Sequence, residues 1–157
     1  MKLEFKDPQG MSNIDIQNLE NEIGLKFLSG LKSFLKENSG ASEPLLGGTY
    51  FIPIIYENGW EDEMFISKIE TVESIKNTLS YKKGLDELVK HFELTETYIE
   101  TRYLLPFIEL SGGEAYIALA GSNEGSVYIV DNGDFGVIKM SRTLDEFLNL
   151  IEVDLEK

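Results

Sequence analysis

The chain has 157 residues, 42% of them hydrophobic and 27% charged, with 14 Lys and Arg against 28 Asp and Glu. A formal net charge of −14 repels nucleic acid and anionic membrane and favours a basic partner. The lack of cysteine excludes disulfides, thiolate metal ligands and cysteine nucleophiles.

Residues 1–12 read as an extended lead-in punctuated by Pro8 and Gly10. Ile16, Leu19 and Ile23 then fall on one face of a helix that Gly24 ends. Ser29 is placed to cap a second helix, with Leu31, Phe34 and Leu35 inward and Lys32, Lys36 and Glu37 outward. That helix stops at Asn38 to Ala41. Residues 49–56 and 63–69 read as strands joined by ENGWED, and Pro53 marks the first as an edge or a bulge.

Thr71 caps a helix carrying Val72, Ile75 and Leu79 at helical spacing. Gly84 breaks that run, and Leu85, Leu88, Val89 and Phe92 give another helical face. Residues 93–103 fit neither period. Four short strands follow at 104–110, 114–120, 126–131 and 136–140, separated by glycine-containing turns at Ser111 to Gly113, Gly121 to Gly125 and Asn132-Gly133. Thr143 and Glu146 form a T-x-x-E capping box, and Leu144, Phe147, Leu148 and Ile151 line the inward face of a last helix.

The glycines between Glu109 and Ser141 lie between strands. A phosphate loop needs them between a strand and a helix N-terminus, and no G-x-G-x-x-G or G-x-x-x-x-G-K-[ST] occurs. His91, the only histidine, cannot build a histidine-rich zinc site, and GSNEG puts Ser122 at the wrong place for a nucleophile elbow. A calcium loop begun at Asp131 would need oxygen ligands where Gly133, Phe135 and Arg142 stand. Among so many acids no carboxylate pair is singled out for glycoside hydrolysis. The residues therefore predict no catalytic, cofactor or metal site. The opening MKLEFKDPQG lacks a signal-peptide core, and the run from Tyr50 to Tyr56 is too short for a membrane span, so a cytoplasmic protein is expected.

The order of these signals resembles the SUKH superfamily of Smi/Knr-type domains. IQNLENEIGLKFLSGLKSFLKENSG, Ile16 to Gly40, is similar to the family's opening helices, with Gly24-Leu25, Phe34-Leu35 and Asn38-Ser39-Gly40 in the expected places. LLPFIELSGGEAYIAL matches its central stretch through Pro106, Phe107, Gly113, Tyr116 and Leu119. GSVYIVDNGDFGVIKMSRTLDEFLNLI matches its ending through Val127, Tyr128, Asp131, Leu144, Phe147 and Leu148. The likeness spans about 13–152, with departures at Leu28, Ala41 and Ile129-Val130, and leaves 57–103 unaligned.

The resemblance implies an α+β fold: one domain over 1–157 whose mixed or antiparallel sheet of about five to six strands has N-terminal, middle and C-terminal helices packed around it. It also implies a non-enzymatic binding protein. Bacterial members of the family mostly neutralise toxins as immunity proteins, and fungal relatives act as regulatory interaction proteins. The expected partner is a basic toxin domain encoded nearby, not nucleic acid or membrane; a regulatory scaffold is the alternative, and a carboxylate-dependent hydrolase comes last. The residues expected to touch the partner are Glu57, Trp60, Glu61, Asp62 and Glu63 in the loop between the first two strands. Tyr116, Tyr128 and Asp131, on the sheet, are the second place to look.

Overall fold

Ile16 and Leu19 are buried on one side of α1 (Asn13–Ile23), as their spacing predicts. Ser12 caps this helix: its hydroxyl accepts from the Asp15 N–H while the Asp15 carboxylate accepts from the Ser12 N–H, both at 3.1 Å. The pattern escapes a search for Ser-x-x-Glu because Asp stands at the third helical position. Gly24 closes the helix in the left-handed region, φ 81°, where a side chain is disfavoured. Glu20, four residues before it, is 5% exposed. Its carboxylate accepts from the Phe27 N–H at 2.7 Å and lies 3.6 Å from the Lys32 ammonium. This acid holds the link, through Leu28, into α2 (Ser29–Asn38).

Ser29 does not cap α2. Leu28 occupies the cap position without a side-chain bond, and Ser29 is the first helical residue. Leu31, Phe34 and Leu35 are buried as expected. At the far end the Ser39 hydroxyl donates to the Glu70 carbonyl at 2.7 Å, tying the helix to the sheet.

The structure is a computed structural model that describes residues 3–56, 59–80, 85–87, 89, 99–132 and 136–155. Its sheet has seven strands: β1 (Thr49–Ile55), β2 (Glu61–Ile69), β3 (Leu104–Leu110), β4 (Gly113–Ala118), β5 (Val127–Asp131), β6 (Val137–Ser141) and β7 (Glu152–Asp154). Their order is β6-β5-β4-β3-β2-β1-β7, and every neighbouring pair is antiparallel. The fold is thus α+β with a fully antiparallel sheet, one strand larger than the upper expectation. The added strand is β7, whose three residues carry too little pattern to be read alone; pairing with Thr49 to Phe51 makes them a strand. The last helix is correspondingly short, α4 (Leu144–Leu148), and Ile151 is buried beyond its end. Thr143 accepts from the Glu146 N–H at its start, and the Glu146 carboxylate accepts from the Arg142 N–H.

Pro53 is not on an outer strand, because β7 flanks β1. It lies two residues past the last β7 pair, at Phe51, where among the described residues β1 has β2 alone as a neighbour. Between the strands, α3 (Val72–Ser80) buries Ile75, and residues 85–87 and 89 are helical. A single 3-10 turn (Thr101–Tyr103), absent from the sequence reading, leads into β3. The expectations for Gly84, Leu88, His91, Phe92 and Gly133 lie outside the described residues.

The main core lies between one face of the sheet and the helices. Phe107 of β3 is fully buried there, with its ring centroid 6.1 Å from that of Phe34 on α2 and 5.9 Å from that of Phe147 on α4. A smaller cluster on the opposite face joins Leu104, Tyr116, Ala118, Tyr128 and Val130, against which Leu85, Ile99 and Val137 pack.

Candidate partner-binding surface

Alternation along β1 sends Tyr50, Ile52 and Ile54 into the core and leaves Ile55 69% exposed. The chain then turns back. The Tyr56 N–H donates to the Trp60 carbonyl at 2.8 Å and the Gly59 N–H to the Tyr56 carbonyl at 2.9 Å. Trp60, on the returning limb, is 61% exposed, so it does not fold over the core. Glu61, Asp62 and Glu63 follow it, all exposed, and the Asp62 carboxylate accepts from the Glu63 N–H at 2.8 Å. The strand therefore starts two residues earlier than the sequence reading put it, and the three acids belong to the sheet instead of a free loop. Glu57 lies outside the described residues.

A buried bond fixes the base of this hairpin. Tyr56 is 5% exposed, and its hydroxyl donates to Asp131 Oδ2 at 2.9 Å. Asp131 ends β5, four strands away from β1 in the sheet order, so the curl of the sheet brings the two strand ends together. Burial raises the Tyr56 pKa first, and the bond to Asp131 and its charge raise it further, so the phenol stays protonated and a donor. Tyr56→Phe is expected to cost about 1–3 kcal/mol by stripping this donor from a buried carboxylate. Urea denaturation measures it, and an unchanged midpoint would contradict the anchoring role.

Three of the expected contact residues have other work. Asp131 is 8% exposed and bonded to Tyr56. Tyr116 is 6% exposed and Tyr128 is fully buried, under the cluster that includes Leu85 and Ile99. Both tyrosines stand on the face away from the main core. That face is covered at β3 to β5 by chain distant in sequence, so they present no open surface.

Two acids stand near Tyr116. The Tyr116 hydroxyl donates to Glu114 Oε2 at 3.0 Å. Glu70, just after β2, is 1% exposed, and its Oε2 has no hydrogen-bond partner among the described residues. Burial pushes the Glu70 carboxyl up. The Ser74 hydroxyl pulls it down, the charges of Glu114 and Glu109 raise it, and Lys68 lowers it. Glu114 is likewise raised, by burial first and by Glu109, against the Tyr116 bond. A carboxyl raised in the folded state contributes stability that is present below its unfolded value, near 4.5, and lost as pH climbs through the folded value. Glu70→Gln removes that loss. Its melting temperature at neutral pH is expected to exceed the parent's, converging with it in acid. Melts across pH check this, and a variant less stable at every pH contradicts it.

No characterised protein matches the chain closely enough to count as a relative. The family model for the SMI1 / KNR4 family (SUKH-1) matches residues 10–150. The chain belongs to the SMI1/KNR4 family. The match begins at Gly10, just before the Ser12 cap of α1, and ends at Leu150, just past α4. It therefore takes in both N-terminal helices, strands β1 to β6 and the whole Trp60 hairpin. Several SUKH residues singled out in the sequence have structural roles: Gly24 closes α1, and Phe107, Phe147 and Tyr128 are fully buried. Trp60 and its acids lie in the stretch that the sequence resemblance left unaligned. Among the described residues no group of His, Cys, Asp and Glu is arranged to hold a metal, and no helix is long and apolar enough to cross a membrane.

Proposed function

We propose that this SMI1/KNR4-family chain is an immunity-type binding protein that neutralises a cognate toxin by occlusion. The observation that carries the reading is the Trp60 hairpin. An exposed indole stands beside three exposed acids on a turn whose base is fixed by the buried Tyr56–Asp131 bond. A rigid aromatic anchor with a charged rim is how a small number of residues supplies most of a protein–protein affinity. The partner that suits a net charge of −14 is a basic domain, and a toxin that grips phosphates presents such a surface. In this reading Glu61, Asp62 and Glu63 occupy the places of phosphates and pair with Lys and Arg, Trp60 fills an apolar pocket, and the chain performs no chemistry. The protein acts in the cytoplasm, where the toxin would otherwise do harm.

The test is co-purification with the product of the adjacent gene and rescue of cells from that product's toxicity. A harmless, unbound neighbour overturns the toxin reading. A signalling or wall-synthesis gene in that place, whose product binds, would favour the regulatory-scaffold reading.

A further inference from the structure

On the sheet face away from the main core, the cluster of Leu104, Tyr116 and Tyr128 lies over β3 to β5, and β1 and β2 carry partly exposed side chains. Phe51, Pro53 and Ile55 alternate with the buried residues of β1; the first two are partly exposed and Ile55 is 69% exposed. Directly opposed residues of antiparallel strands share a face. Register therefore puts Phe65 beside Phe51, Glu63 beside Pro53 and Glu61 beside Ile55. On the other side Glu152 of β7 stands opposite Phe51. The Phe51 and Phe65 rings lie 6.2 Å apart, tilted, and Phe65 is partly exposed. The result is an apolar column flanked on both sides by exposed acids. Lys68, further along β2, is tied to Glu109 at 3.8 Å.

We infer that this face, from Glu152 to Glu61, docks an amphipathic segment of a protein partner. Apolar side chains of that segment seat on Phe51, Pro53, Ile55 and Phe65, and its Lys or Arg residues reach Glu61, Glu63 and Glu152. Charge complementarity selects this occupant. A second copy of the chain, meeting it across a two-fold axis, would set the same acids against one another. The inference rests on the reading of the chain as a protein-binding domain, and not on the partner being a toxin.

The test is selection of a displayed random-peptide library on the immobilised full-length protein. The expected winners interleave Lys or Arg with apolar residues. They should bind at least about tenfold more weakly to the Glu63→Lys, Glu152→Lys double variant, whose changes are on exposed side chains and leave the melting temperature in place. Phe51→Ser should weaken them similarly. Winners without that pattern, winners that bind the double variant as well as the parent, or no enrichment each overturn the inference. So does a concentration-dependent dimer that the double variant abolishes, since the second copy is then the occupant. A neighbouring gene product that fails to bind overturns the toxin reading and leaves the peptide result standing. A toxin complex that tolerates the double variant does the reverse.

Discussion

Gly113→Ala is expected to cost about 3 kcal/mol of stability or more. Gly113 starts β4 and is paired on both sides, with Leu110 of β3 and Asp131 of β5. A methyl group built there would stand 1.9 Å from the Val130 carbonyl oxygen, 3.0 Å from its carbon and 3.2 Å from the Asp131 Cα. All three atoms are backbone, so no side chain can swing aside. The β4–β5 ladder would have to part at the end that carries Asp131, taking the Tyr56 bond with it. Urea denaturation should show the lower midpoint, and heating should show melting lowered by roughly 6–12 °C. An alanine variant as stable as the parent would mean that the strands do not approach this closely.

Trp60→Ala is expected to weaken partner binding by about 2 kcal/mol or more, near thirtyfold in affinity, with melting nearly unchanged. The indole is 61% exposed, so its removal opens no cavity. Titration calorimetry against the bound partner and a thermal melt separate the two effects. Reversing Glu61 and Asp62 to Lys should act mainly on the association rate and flatten its dependence on salt. A loss of several kcal/mol of stability on Trp60→Ala would instead make the side chain part of the core. Binding left intact by both changes would move the contact surface away from the hairpin.

Much of this protein could be read before its structure. Ile16 and Leu19, Leu31 and Leu35, and Val72 and Ile75 recur at helical spacing because one side of each helix must be buried, and that demand is written locally. The strand from Leu104 to Leu110 was read to the residue, since apolar residues fill it and turn residues end it. The glycine-rich stretch read as turns because glycines between two strands have no helix terminus to serve. Trp60 stood out by composition, a lone indole among acids on a strand connection.

What the sequence could not supply depends on chain that is far away along it. Glu152 to Asp154 became a strand because β1 offered Thr49 to Phe51 as a partner. Tyr116 and Tyr128 are closed off because residues such as Leu85 and Ile99, far from them along the chain, pack against their cluster. Phe51 and Phe65 stay partly exposed on the same face. Among 28 acids, sequence gave no reason to separate Glu20, Glu70 and Asp131 from the rest. Burial by distant elements did so, because a carboxylate changes its energy and its partners when water is withdrawn from it.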